Sequence, residues 1–170
     1  DVTWSYTVTG TNGKQRTLSL DGRIILEKIP NAEIRTRCKT WMMQIADSLE
    51  LAAPIRQAIT GVVFEVRQGY KSKDSKRQNA DIANAANAYA NGYIPCLMVM
   101  SAQIDDDIVA RYNVAKWAIL QGYIETSALT STFTFFEQVI GFDFVQFMNN
   151  NQEYFKGKIQ HVLEQLMRAE

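Results

Sequence analysis

The sequence predicts an α/β fold: a mixed-sheet core built on a βαβ unit, an N-terminal antiparallel meander and flanking helices. Three observations predict it. Residues 3–9 alternate apolar and polar, and 16–20 and 23–29 read as two more strands, set off by Asn12-Gly13 and Asp21-Gly22. An apolar strand at 62–67, a helical pattern at 75–90 and an apolar run at 94–100 follow one another as strand, crossover helix and strand. Apolar residues recur at helical spacing over 34–49 and again over 155–166. At 170 residues the chain fits one domain, 1–170. It opens at Asp1 rather than Met, and so reads as a domain that can be a fragment of a longer chain.

Taken in order, 3–9, 16–20 and 23–29 are strands of the meander. Pro30-Asn31 opens a helix whose stripe is Ile34, Cys38, Trp41, Met42, Ile45, Ala46 and Leu49. Pro54 suits the first turn of a short second helix, and Gly61 ends it. In the strand 62–67, Val62, Phe64 and Val66 share one face, and Val63, Glu65 and Arg67 the other. Asp74 or Ser75 caps a helix to about Ala90, with Ile82, Ala85, Ala86 and Tyr89 inward and Gly92 beyond its end. The run 94–100 is continuously apolar, as in a strand buried on both faces. Asp105, Asp106 and Asp107 have the look of a metal cluster but more simply complement the dipole of a helix running to Gln121-Gly122, with Ile108, Tyr112, Ala115 and Ile119 as its stripe. The aromatic stretch 133–148 spaces as core rather than as a base-stacking platform. The last helix spans 152–168, with Phe155, Ile159, Val162, Leu163 and Leu166 inward.

Composition narrows the chemistry. Apolar residues make up 46% and charged residues 21%, as in a soluble globular protein. A net charge of zero gives no global attraction to polyanions, so such a binder must concentrate its cations on one face. Cys38 and Cys96 are the only cysteines, both on apolar patterns, and no CxxC occurs. The single histidine, His161, argues against zinc sites and histidine-based nucleophilic catalysis. No signal peptide and no membrane-length apolar run is visible, so no membrane partner and a cytoplasmic location are expected. No glycine-rich nucleotide loop occurs.

The chemistry concentrates at 64–79. Glu65 lies between Phe64 and Val66, a charge carried into an apolar sheet, where a partner or a metal is expected. Five cations follow within eleven positions: Arg67, Lys71, Lys73, Lys76 and Arg77. A carboxylate at a strand end beside a cationic loop suits a metal ion facing a phosphate. Two plainer readings stay open: Glu65 and Arg67 pair with each other, and the lysine loop is a solvated turn.

The run of a strand ending in Phe64-Glu65-Val66-Arg67, a basic loop through Lys71, Lys73, Lys76, Arg77, Gln78 and Asn79 to Asp81, a helix and a buried strand resembles the core of PD-(D/E)XK nucleases. It looks most like subunits of heterodimeric, BbvCI-like type II restriction endonucleases, and the stretch from Ser101 to Gly122 fits the same likeness. The resemblance covers roughly 64–122. It implies a restriction-endonuclease-like fold and Mg²⁺-dependent hydrolysis of phosphodiester bonds in double-stranded DNA. It implies Glu65 as a metal ligand, with an aspartate on an earlier hairpin strand as its partner. Asp21 has that place, although Asp21-Gly22 is also an ordinary turn signal, and Glu27, Glu33, Asp47 and Glu50 remain open. Arg67 stands where the family has lysine. Arginine supplies charge but not a transferable proton, which leaves Lys71 as the substitute. By the same likeness Lys71, Lys73, Lys76 and Arg77 contact phosphates, and Gln78 and Asn79 reach phosphate or base edges. A homodimer, or a heterodimer with a second nuclease subunit, completes a double-strand cut. The alternatives are a non-catalytic DNA-binding or assembly subunit of nuclease-like fold, in which Arg67 marks a lost site, and an interaction domain with a solvated loop.

Overall fold

A computed structural model describes residues 2–9, 13–69 and 75–168, with the backbone alone for Arg16 and 75–80. Its secondary structure begins with β1 (Trp4–Thr9) and β2 (Gln15–Leu20), paired antiparallel with Trp4 opposite Leu20. They form a two-stranded ribbon of their own. β3 (Gly22–Ile25) leaves the ribbon and pairs antiparallel with β4 (Gly61–Arg67). The expected three-stranded meander is therefore a hairpin plus a strand of the main sheet, and Asp21-Gly22 is a passage between sheets, not a hairpin turn. A 3₁₀ turn at Leu26–Lys28 ends the third strand earlier than its sequence suggests.

The main sheet has the order β3-β4-β5-β6, with β5 (Tyr93–Val99) parallel to β4 and β6 (Ala118–Leu120) parallel to β5. It is mixed, as expected, and α3 (Ser75–Ala90) is the crossover between β4 and β5. One face is covered by α1 (Ala32–Ser48), where Cys38, Trp41, Met42, Ile45 and Ala46 are buried against Val62, Phe64, Ile94, Cys96 and Leu120. Asn31 caps this helix, its side-chain oxygen accepting from Ile34 N at 3.0 Å. The short α2 (Ala53–Ala58) follows, with Pro54 in its first turn. The opposite face carries Val63, Leu97, Val99 and Trp117 against Ala85, Ala88, Ile108 and Tyr112, with Trp4 and Leu20 of the ribbon in the same cluster. Both faces being buried explains the apolar runs of β4 and β5. Cys38 and Cys96 are free thiols in the α1-side core, and burial raises the pKa of each.

Four further expectations are corrected. The aspartate-led helix is α4 (Asp106–Val114), capped by Asp105, and it stops before the expected Gln121-Gly122. Lys116 adopts φ 60°, and Trp117-Ala118-Ile119-Leu120, apolar on every side, enters the sheet as β6 instead. In α3 the inward residues are Asp81, Asn84, Ala85 and Ala88; Ala86 is exposed and Ile82 and Tyr89 are half-buried. The aromatic stretch divides between a short α5 (Thr132–Thr134) continued by a π-helical turn (Phe135–Ile140), and α6 (Phe144–Asn150). Phe135 is core, whereas Phe142 and Phe147 are exposed. The last helix, α7 (Gln152–Arg168), has the expected bounds, but no residue of it is buried. Its apolar stripe does not face the core.

Gly61 sits where β3 crosses closest: a Cβ there would lie 2.2 Å from the Ile24 carbonyl oxygen. Gly157, inside α7, has nothing within 4 Å. Gly61→Ala is expected to cost at least ~1–3 kcal/mol by overpacking. Gly157→Ala is expected to gain about 0.5–1 kcal/mol from helix propensity. Urea-unfolding midpoints of the two variants test this opposition of sign.

Candidate functional site

At the C-terminal end of β4 the chain brings two acidic residues onto one guanidinium and a third, Asp21, onto the strand's backbone. Odd-numbered residues of β4 face the α3/α4 side, so Glu65 and Arg67 enter the cluster that also holds Val63. Glu65 is buried, and its Oε1 lies 2.6 Å from Arg67 Nη2. The same nitrogen lies 3.2 Å from Asp81 Oδ2, on the inward face of α3. That oxygen also accepts from the Tyr112 hydroxyl of α4 at 2.5 Å. One guanidinium nitrogen thus bridges two buried carboxylates, and α4 secures the second. The pairing of Glu65 with Arg67, one of the plainer sequence readings, is present in this structure.

Asp21 reaches the same place from the other strand. Gly22 pairs with Phe64, so one further step of the antiparallel register sets Asp21 opposite Glu65. Asp21 Oδ2 accepts from the Val66 backbone N–H at 2.8 Å. This bond satisfies a strand-end donor and fixes the carboxylate at the end of β4. The other acids weighed for this role lie on other elements: Glu33 pairs with Arg37 at 2.8 Å, Asp47 pairs with Arg56 at 2.5 Å, Glu27 lies in the 3₁₀ turn, and Glu50 follows α1. Asp105 serves as the α4 cap, accepting from Asp107 N at 2.9 Å.

Behind the site, Met100 N donates to Arg67 O at 2.7 Å, which carries the β4–β5 pairing to the strand ends. Arg23 shares the sheet face with Val63, and its buried Nε has no partner among the described residues. Lys71 and Lys73 lie outside the described residues. Lys76, Arg77, Gln78 and Asn79 fall on the opening turns of α3, the helix that carries Asp81, and only their backbone is described.

Asp81 and Tyr112 are the site residues that sequence reasoning missed. Asp81 had a signal: it falls in register with Asn84, Ala85 and Ala88, so it is a charge on an inward stripe. Tyr112 was expected in the core, and nothing local marks its hydroxyl for Asp81.

Among the described residues no three His, Cys, Asp or Glu side chains group to hold a metal ion. The oxygen donors that the register sets opposite each other are Asp21, bonded to Val66 N, and Glu65, held by Arg67. Mg²⁺ is commonly held by one or two carboxylates together with substrate phosphate and water, so this pair fits an ion that arrives with a phosphate better than a closed protein cage. No described helix is long and apolar enough to cross a membrane. Comparison with protein-family models, with curated proteins and with solved structures gives no match to this chain.

Removing the bridging charge is expected to be severe. Arg67→Met leaves Glu65 and Asp81 facing each other without their cation, and loss of one partner of a buried pair costs about 3–5 kcal/mol. Arg67→Lys is expected to cost less, because it keeps the charge while losing the fork. Chemical denaturation of both variants checks the order; equal stability of Arg67→Met and the parent protein would overturn the bridging role.

Proposed function

We propose that the chain is a Mg²⁺-dependent DNA endonuclease domain of restriction-endonuclease-like fold, acting as one subunit of a type II restriction enzyme. The observation that carries this reading is the placement of Asp21 opposite Glu65 at the end of β4. The segment that follows holds Lys71, Lys73, Lys76 and Arg77. Two carboxylates, one on β4 and one just before β3, with a basic stretch next in sequence match the demands of phosphodiester hydrolysis: oxygen donors for a cation, and positive charge for the phosphates.

Asp21 and Glu65 would hold the Mg²⁺, which supplies an acidified water and neutralises charge at phosphorus when bound. The protein's own part is orientation. Val66 N–H holds the Asp21 carboxylate in place. Arg67 holds Glu65 from one side and is itself fixed by Asp81 and Tyr112. Being permanently charged, Arg67 lowers the cost of gathering carboxylates but moves no proton. Lys71, on a flexible stem past Gly69, is the group for orienting the attacking water. Lys73, Lys76 and Arg77 hold backbone phosphates of the double strand, and Gln78 and Asn79 reach phosphates or base edges. One such site cuts one strand, so a second subunit, identical or different, supplies the second cut.

A second reading has its own support. The 2.6 Å pair between Glu65 and Arg67 occupies the carboxylate with protein charge, as expected of a non-catalytic DNA-binding or assembly subunit of the same fold. Glu65→Gln separates the two. The variant is expected to lose Mg²⁺-dependent cleavage of plasmid DNA while retaining the fold by circular dichroism. Undiminished cleavage by it would remove Glu65 from the chemistry.

DNA binding is tested apart from cleavage. Each phosphate contact contributes about 0.9 to the slope of log affinity against log salt. Changing Lys73, Lys76 and Arg77 together to Ala is expected to flatten that slope by roughly 3 units. An unaltered slope assigns these three to a solvated turn.

A further inference from the structure

The helix α7 shows water the face that an amphipathic helix normally buries. Phe155, Ile159, Val162 and Leu166 recur at spacings of four, three and four, with Leu163 beside them. Ile159, Val162, Leu163 and Leu166 are 60%, 55%, 53% and 64% exposed. The exposure continues into α6. Of the sixteen large apolar side chains exposed among the described residues, ten lie between Phe142 and Met167. The two helices are joined by aromatic contacts, Phe144 to Phe147 at 6.2 Å and Phe147 to Phe155 at 6.2 Å between ring centroids. This anchors the start of α7 to the body and leaves the rest of the stripe uncovered.

We infer that this face is a self-association surface, on which two copies of the chain pair through α7 in antiparallel fashion about a two-fold axis. Four features favour a second copy. The four-three-four spacing is that of helices whose side chains interlock with a like helix. A two-fold pairing sets each patch against itself, so one stripe suffices for both partners. At about 60–120 Å² for a Val, Leu, Ile or Met side chain and more for an aromatic one, ten that are each about half exposed offer several hundred Å² per copy. Two copies together then reach the ~1,000 Å² that a specific interface needs. Antiparallel alignment also opposes the two helix dipoles and brings the Glu153 end of one helix to the Arg168 end of the other. A lipid surface fits less well. Its charges are mixed, Lys156, Lys158 and Arg168 against Glu153 and Glu164, and do not make the strongly cationic face of an interfacial helix. The pairing stands without the nuclease reading, since α7 is uncovered whatever the β4 site does.

Light scattering on the eluting protein decides. The parent chain, 19.3 kDa as a monomer, is expected to run at twice that mass at about 100 µM and to dissociate on dilution. Ile159→Glu with Leu166→Glu is expected to weaken association at least a hundredfold, about 2.7 kcal/mol, because charge enters the centre of the stripe. Its unfolding midpoint, measured where both proteins are monomeric, is expected to be unchanged, since neither side chain packs on the body. Monomer mass for the parent at about 100 µM overturns the inference. Dimer mass for the double variant overturns this face as the interface. Monomer mass combined with flotation on anionic vesicles overturns it in favour of a lipid surface.

Discussion

The bridge made by Arg67 Nη2 between Glu65 and Asp81 is the constraint around which this face of the molecule is arranged. It joins the end of a central strand to the crossover helix, and the Tyr112 hydroxyl extends the tie to α4. All three charged side chains are about nine-tenths buried, so each has surrendered hydration that the others help to replace. Such a cluster adds little net stability compared with an apolar core of equal volume. What it contributes is position: with Arg67 missing, two like charges would lie in a dry space. The shared nitrogen and the shared Asp81 oxygen leave little latitude in how α3 sits on the sheet. Any chemistry at Glu65 therefore inherits its geometry from the crossover helix.

Much of the architecture was legible because periodicity is a local signal. The bounds of α3 and α7 agree with the spacing, and the α1 stripe from Cys38 to Ala46 is the buried one. The alternation of Val62 and Phe64 against Val63 and Glu65 also holds, one set in each core cluster. What was not legible was tertiary. Trp117 to Leu120 has no stripe that separates a helix end from a buried strand, and only the open edge of β5 decides between them. Asp21-Gly22 has the composition of a hairpin turn, yet its carboxylate is committed to Val66 on a strand more than forty residues away. The stripe of α7 was correctly located and wrongly assigned a partner, because periodicity names a face without naming what covers it.

Beyond β6 the chain is held by hydroxyls as well as by the apolar contacts of Phe135 and Val139. Thr132 Oγ1 donates to Val99 O at 2.9 Å, Ser131 Oγ donates to Tyr123 O at 2.6 Å, and Thr134 Oγ1 donates to Glu125 O at 2.5 Å. Ser131 also accepts from Thr134 N at 3.1 Å and so caps the turn that follows. These short polar side chains tie the chain after β6 to the end of β5 and to its own loop. Gly122 belongs to the same device: a Cβ there would meet the Met100 carbonyl at 2.5 Å, so the chain passes close enough for its N–H to reach Ser101 O at 3.1 Å. The aromatic turn that opens at Phe135 is thereby seated on the α1 side of the sheet, with Phe135 and Trp41 centroids 4.7 Å apart.

The strand order of the main sheet, β3-β4-β5-β6, is also the order of the strands along the chain. No later strand has to be threaded between two that are already paired. Each one docks on the edge left by its predecessor, and the helices between them close over faces that already exist. Loop-closure entropy is then met in instalments, one connection at a time, rather than in a single long-range step. A chain emerging from its N-terminus during synthesis can lay this sheet down in sequence, with one unfinished edge exposed at each stage. The last edge, along β6, is partly shielded by the chain itself, where Gln121 bridges Ser131 in parallel.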